Sequence, residues 1–199
     1  MMKKSLVILI SVLLLFATLP VSAFAATYYY SKDGLGYEIT DGAATLVDFD
    51  RYALPLDVVI PAEVDGCPVT AIGDSALHNC NTIVSLVIPD SVETIGTHAF
   101  MYCYRLESVK LSNSITDIPY SAFHSCTSLR SITIPDSVRL IRSNAFYDTA
   151  LTEIVIPDNV WEIEASAFGY CWELTTAYIG KGTYSISDQG IFAYGPGMK

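Results

Sequence analysis

The sequence IPDSVETIGTHAFMYCYRL at residues 88–106 decides the fold of this chain. Its apolar positions are widely spaced, and a proline stands directly after Ile88. Proline cannot donate a ladder hydrogen bond, so a strand is predicted to end at that point. An Ala-Phe pair at Ala99-Phe100 comes next, followed by Cys103 and Leu106 at a spacing of three.

The same pattern recurs at a fixed step, which is the signature of a repeat architecture. The Ala-Phe pairs step by 23, 23 and 22 residues, and Ala76-Leu77 and Gly190-Ile191 hold the equivalent positions at the two ends. We therefore predict six coils. The short step lacks one residue between Phe146 and Leu151, in a predicted turn that leaves the strand register intact. Residues 64–68 add a Gly-Pro surface loop to the first coil. The pairs are Ala99-Phe100, Ala122-Phe123, Ala145-Phe146 and Ala167-Phe168.

Alternating core residues explain why the coils should stack. In Val109-Lys110-Leu111 and its equivalents the apolar residues lie two apart, which places them on one face of a strand. One coil cannot bury this edge alone, whereas coils stacked about 4.8 Å apart form a continuous core. The predicted core rows are Val69, Val92, Ile115, Val138 and Val160; Ile72, Ile95, Ile118, Ile141, Ile163 and Ile186; and Phe100, Phe123, Phe146 and Phe168 between Leu77 and Ile191.

The motif from Ile88 to Leu106 resembles the BspA-like class of leucine-rich repeats. The resemblance implies a mainly β solenoid, a right-handed stack of about six coils. Residues 37–46 also resemble the hairpin that often precedes such arrays, and the Asp41-Gly42 pair independently predicts its turn. We expect a cap over residues 26–56 and a solenoid over 57–199. The family further implies a bacterial surface or secreted protein, with adhesion as the assigned role.

An N-terminal leader and a net negative charge restrict the location of the protein and the class of its partners. Residues 1–25 carry two lysines, a 14-residue apolar run and a closing Ala-Phe-Ala, which is typical of a cleaved signal peptide. This run is shorter than the roughly 20 residues of a spanning helix, so we expect no membrane insertion after cleavage. The formal net charge of −10 argues against nucleic acid as a partner. Free secretion or a place on the cell surface remains.

Cysteines and histidines recur in the repeat but predict no metal site or catalytic group. Four cysteines occupy the same position of their coils, three residues after the Leu or Phe that follows alanine, and Thr149 occupies this position in a coil that lacks a cysteine. These cysteines are either small buried hydrophobes or partners in disulfides, which secretion permits. Zinc would need ligands that converge rather than form a line. The histidines are interpreted as solvated turn residues. The row cysteines are Cys80, Cys103, Cys126 and Cys171, Cys67 is a free loop thiol, and the histidines are His78, His98 and His124.

The carboxylates that follow the prolines allow two interpretations. Asp90, Asp136 and Asp158 could chelate calcium, which takes 6–8 oxygens. Alternatively each side chain bonds backbone amides two residues further on and forms a turn. A row along a convex turn offers no cleft for paired carboxylates to hydrolyse a glycoside. No nucleophile elbow or phosphate-binding loop occurs either. We therefore predict no enzyme, no cofactor and no metal.

Two surfaces are candidates for binding. The middle residue of each strand should point away from the core, and exposed apolar residues in such a row often mark an interaction site. Tyrosine and tryptophan after the Ala-Phe pairs form the rival surface, because these residues are common in binding hot spots. The strand residues are Val59, Val87, Lys110, Thr133, Val155 and Tyr178, and the aromatic turn residues are Tyr102, Tyr104, Tyr147, Tyr170 and Trp172.

Two functional hypotheses remain open. The first is a binding module for an extracellular protein or glycan, which a short array with its own leader and cap favours. The second is a structural spacer or a fragment of a longer array, because residues 194–199 look unable to cap the last coil. Ile179, Ile186 and Ile191 would then be exposed, and we expect that end to fray or to self-associate.

Overall fold

A computed structural model describes residues 26–187 and 190–192 of the chain. The predicted signal peptide and residues 194–199 lie outside these ranges. All regular structure in the described residues is β-strand, sixteen strands in total. Their bounds are β1 Thr27–Tyr30, β2 Leu35–Thr40, β3 Ala43–Phe49, β4 Asp57–Val59, β5 Glu63–Val64, β6 Cys67–Ile72, β7 Ser85–Val87, β8 Thr94–Ile95, β9 Ser108–Lys110, β10 Asp117–Ile118, β11 Ser131–Ile132, β12 Leu140–Ile141, β13 Glu153–Ile156, β14 Glu162–Ile163, β15 Thr176–Ile179 and β16 Ser185–Ile186.

The first three strands form the predicted hairpin cap. Strands β1, β2 and β3 pair antiparallel, and Asp41 and Gly42 turn between β2 and β3 with φ of 53° and 79°. Strand β3 then pairs parallel with β6 of the first coil, Leu46 opposite Ile72. Because β3 runs parallel to β6, as the strands of successive coils do to one another, it continues the stack and covers the open edge of the first coil.

Each coil contributes strands to two parallel ladders on different sides of the solenoid. The first ladder, whose outward side we name the strand face, contains β4, β7, β9, β11, β13 and β15. Pairing in it runs through β4, β7, β9 and β11, stops, and resumes as β13 with β15. The second ladder pairs β6 with β8, stops, and resumes as β10, β12, β14 and β16. Both ladders are therefore interrupted, at different coils.

The insertion in the first coil is a small hairpin rather than an irregular loop. Strands β5 and β6 pair antiparallel, Val64 opposite Cys67, and the exposed Asp65 and Gly66 turn with φ of 51° and 77°. An Asp-Gly pair suits a turn that needs positive φ at both central residues. The predicted Gly-Pro loop is thus correct in place but more ordered than expected.

The predicted core rows are buried. The row from Val69 to Val160 is at most 1% exposed, and the isoleucine row is buried as far as Ile163, whereas Ile186 is 47% exposed. The phenylalanine rings stack along the axis with centroids 5.0, 5.4 and 5.2 Å apart, and Phe192 continues the stack beyond Phe168 at 5.7 Å. These contacts confirm the stacked aromatic row, with Phe192 as an additional member.

A third set of backbone hydrogen bonds joins the coils at the Ala-Phe turn. In each of the first four coils the residue before the alanine and the residue before the cysteine position adopt positive φ, for example Ser75 at 58° and Asn79 at 57°. Their amides donate to carbonyls of the next coil, as those of Ser75 and Asn79 do to Thr97 and Met101. The amide of Phe123 likewise donates to Ala145 at 2.8 Å. We name this set the turn ladder.

Candidate functional site

The strand face presents the six predicted side chains on one surface. The ladders place Val59 beside Val87, Val87 beside Lys110, and Val155 beside Tyr178. Val59 is 66% exposed, Val155 53% and Tyr178 60%, while Val87 is half-buried. Thr133 follows β11 directly and is exposed. Their part in binding stays a prediction, and the strand pairing that joins them along the face stops between β11 and β13.

A second outward row lies beside the first and was missed at the sequence level. Side chains two residues apart on a strand point to the same side, so the residue two positions before each predicted residue also faces outward. The alternation along the strands could therefore have identified this second row. Four of its six members carry only a small hydroxyl side chain, and the row is therefore flat. Its members are Asp57, Ser85, Ser108, Ser131, Glu153 and Thr176.

The aromatic turn residues stack on histidines along the solenoid. The Tyr102 ring lies between His78 and His124, with centroids 5.5 and 5.6 Å away. Tyr147 continues the stack 4.7 Å from His124, and Tyr170 lies 4.9 Å from Tyr147. The rings of His124 and Tyr147 lie face to face, whereas the contacts of Tyr102 with His78 and His124 are edge-on. Only two predicted members, Tyr104 at 44% and Trp172 at 53%, are among the exposed large hydrophobic residues.

The interpretation of the histidines as solvated residues is wrong. His78, His98 and His124 are each half-buried against a tyrosine ring. The Nδ1 atom of His124 is buried without a hydrogen-bond partner. Burial lowers the pKa of His124; the charge of nearby Asp148 opposes this effect and that of His98 adds to it. The folded chain therefore favours the neutral imidazole.

We expect His124 to make the fold less stable in mild acid. A folded-state pKa below the unfolded value of about 6.5 means that stability is full above pH 6.5 and is lost as the pH falls toward the folded pKa. His124→Phe keeps a ring in the stack and removes the proton site. Thermal midpoints measured from pH 7.5 to 5 should fall more steeply for the wild type than for this variant. Parallel curves would contradict the assignment.

All five cysteines are free, and three of the four row cysteines, Cys103, Cys126 and Cys171, serve as buried hydrogen-bond donors. The Sγ of Cys103 donates to the carbonyl of Leu77 at 3.1 Å, and that of Cys126 donates to Phe100 at 3.2 Å. Thr149 fills the vacant position as predicted, and its hydroxyl donates to Phe146 at 3.0 Å. Burial raises the pKa of Cys80 to about 11 and also raises that of Cys171. Thiols held protonated are poor nucleophiles.

The aspartates after the prolines connect neighbouring coils. The Asp90 carboxylate accepts the amide of Asn113 at 2.9 Å, and Asp158 accepts the amide of Lys181 at 2.8 Å. Each acceptor thus bonds 23 residues ahead, so the predicted bond to an amide two residues on is wrong for both. The amide and side chain of Asn113 lower the pKa of Asp90. Asp136 differs, because its carboxylate has no hydrogen bond within the described ranges.

In the described part of the chain, no group of three or more His, Cys, Asp or Glu side chains is arranged to hold a metal ion. The same residues contain no helix of sufficient length and apolar character to span a bilayer.

The profile of the BspA type Leucine rich repeat region matches residues 70–197 in six copies. No curated protein matches the sequence.

Solved structures share the same architecture. A leucine-rich repeat protein from Bacteroides ovatus superposes with a TM-score of 0.73 at 27% identity over 83% of this chain and 46% of its own. The T. pallidum Leucine Rich Repeat protein gives 0.67 at 26% identity over 84% and 81%. A leucine-rich repeat protein from Bacteroides capillosus gives 0.54 at 30% identity over 76% and 97%. The chain therefore spans about half the length of the Bacteroides ovatus protein.

Proposed function

Because the chain belongs to the BspA type leucine-rich repeat family, we propose that it is a secreted or cell-surface binding module. In this proposal it recognises an extracellular protein or glycan through the strand face and carries out no catalysis. The observation that carries the proposal is the exposed row on the strand face, in which Val59, Val155 and Tyr178 are each more than half exposed. Contiguous exposed apolar surface often marks an interaction site.

The shape of the strand face supports this assignment. Its side chains stand on hydrogen-bonded strands, so a partner would bind a surface that is already ordered. A preorganised surface loses less conformational entropy on binding than a mobile one. Solenoids also commonly use an extended surface of this kind for recognition.

The aromatic turn is the less suitable surface. A sugar ring or an aromatic side chain binds to the face of an aromatic ring, but Tyr102, Tyr147 and Tyr170 are half-buried and already pack against neighbouring aromatic rings. Tyr104 and Trp172 remain exposed, but they belong to different coils. The stack is better explained as packing that supports the turn ladder.

A role as a structural spacer within a longer array is the second candidate. The last described coil favours it, since Ile179 is 39% exposed and Ile186 is 47% exposed. Another coil or a second copy of the chain would bury these residues, and self-association at this end belongs to the same candidate.

Paired substitutions test the proposal after a partner is captured from host and microbial surface extracts on immobilised protein. We expect Val87→Glu/Val155→Glu to weaken binding at least tenfold, because two charges would be buried in an apolar contact. Tyr104→Ala/Trp172→Ala should bind within twofold of the wild type. Calorimetry supplies the affinities, and thermal melts show that both variants fold. Loss only in the aromatic pair would transfer the site to the aromatic turn.

A further inference from the structure

The strand face contains a cleft where its ladder is interrupted. Between β11 and β13 the one described backbone bond joins the Thr152 amide to the Arg130 carbonyl at 3.4 Å. At the first two junctions the strand ends are also joined, by the Ile60 amide to Val87 at 3.0 Å and by the Ile88 amide to Lys110 at 2.9 Å. The equivalent bonds from Leu111 to Thr133 and from Ile134 to Val155 are not formed, although these residues are described. A half-open cavity of about 480 Å³ lies at this interruption.

The interruption accompanies the single shortened repeat. The missing residue falls between Thr149 and Leu151, in the turn that leads directly into β13. Ile132, at the end of β11, is only partly buried, whereas its equivalents Leu86, Val109 and Ile154 are at most 7% exposed. The expectation that the shortened turn leaves the strand register intact is confirmed, because the Thr152 amide donates to Arg130 as the Arg130 amide donates to Glu107 one coil earlier. What changes at this junction is that β11 and β13 do not pair.

The cleft combines polar side chains that have no partner among the described residues with an apolar lining. Arg130, Asp136 and Glu153 line it, and no hydrogen bond or ion pair of their side chains occurs within the described ranges. Asp136 is notable because Asp90 and Asp158 use their carboxylates to bond the next coil. The apolar lining consists of four residues: Ile132, Ile134, Val155 and Pro157.

We propose that this cleft binds one pyranose unit of a neutral glycan. A sugar hydroxyl both donates and accepts, so it needs carboxylate acceptors and a guanidinium donor around one cavity. Asp136 and Glu153 supply the acceptors, and Arg130 supplies the donors. The apolar lining suits the C–H face of the ring. The volume falls within the roughly 300–1,000 Å³ range of small-ligand sites.

The charges and the neighbouring coil define the ligand further. Two carboxylates and one guanidinium leave the cleft with a net negative charge, which disfavours an acidic sugar. Tyr178 lies beside Val155 in the ladder, about 4.8 Å further along the face. Its ring is 60% exposed and can contact a second sugar unit. A protein anchor would instead favour a fully apolar pocket, since protein hot spots bury aromatic and other large side chains.

The test uses the methyl glycosides of neutral hexoses and N-acetylhexosamines, with their di- and trisaccharides, as probes. We expect saturation-transfer NMR to detect at least one of them on the full chain. Asp136→Asn/Glu153→Gln should weaken that binding at least tenfold by calorimetry. Glu63→Gln/Glu93→Gln removes the same charge outside the strand face and should bind like the wild type. Thermal melts confirm that both variants fold.

Three results would overturn the inference, which rests on the proposed function of the strand face. They are that no probe binds, that both double variants bind equally well, or that only acidic saccharides bind. If an extract protein still binds through Val87 and Val155 while no saccharide does, the proposed function stands and the glycan cleft is wrong. If neither kind of partner binds, both fail.

Discussion

Phe123→Ala is expected to destabilise the fold by about 3–5 kcal/mol, as other Phe→Ala changes in packed cores do. The ring is fully buried and stacks between Phe100 and Phe146 at 5.0 and 5.4 Å, so its removal leaves a cavity with packed walls on both sides. Both neighbouring rings also lose a stacking partner. Equilibrium unfolding in urea, monitored by circular dichroism, gives the free energy of unfolding.

Tyr120→Ala is the matched control, because it removes an aromatic side chain from the same coil at the surface. Tyr120 is 41% exposed, and its ring makes an edge-on contact with the His98 ring. We expect a much smaller loss of stability. Equal shifts of the urea midpoint for the two variants would mean that the assignment of buried and exposed positions is wrong.

Gly96→Ala is expected to cost about 1–3 kcal/mol through overpacking, despite adding one methyl group. A Cβ at Gly96 would lie 2.5 Å from the carbonyl carbon of Gly73, and still closer to the amide nitrogen of Asp74. Both atoms belong to the backbone of the preceding coil, so a side-chain rotation cannot relieve the contact. The same urea titration measures the loss.

Gly73→Ala provides the comparison at the equivalent position one coil earlier. Its Cβ would lie 3.2 Å from the carbonyl oxygen of Leu46, and the next nearest atoms belong to side chains that can move. The loss should be clearly smaller than for Gly96. If Gly73→Ala were the more damaging substitution, the close approach of the coils at Gly96 would be contradicted.

Much of the fold follows from spacing because the repeat multiplies a weak local signal. One Val-x-Leu segment is ambiguous, but six segments in register place Val138, Ile141 and Phe146 in the core, where the structure has them. The hairpin cap could be predicted from Asp41-Gly42, since few residue pairs suit a tight turn between two antiparallel strands.

The remaining features depend on contacts between coils, which spacing within one coil does not encode. Asp90 could bond its own turn or the next coil, and only the stack decides between them. The His124 stack is similar, because its aromatic partners alternate between two adjacent sequence positions. The positive φ values had a sequence signal in the recurrent Ser and Asn before alanine, but Tyr102 and Tyr170 carry none.

The strand face was predicted as an even row, whereas the structure divides it at β11. A one-residue deletion is visible in the sequence, but its effect on pairing depends on how the shortened turn fits against the coil before it. For this reason the six row residues could be named in advance, and the cleft between Thr133 and Val155 could not.

The turn ladder has a mechanical consequence for the solenoid. The strand face is interrupted between β11 and β13, and the second ladder between β8 and β10. In the described residues the turn ladder runs without a gap from the Leu77 amide to the Ile191 carbonyl. Resistance to bending is therefore unequal around the perimeter: the turn side acts as a stiff spine, and each of the other two sides contains one compliant joint. We expect flexing at the later joint to change the width of the cleft while the phenylalanine stack beside the spine stays in contact.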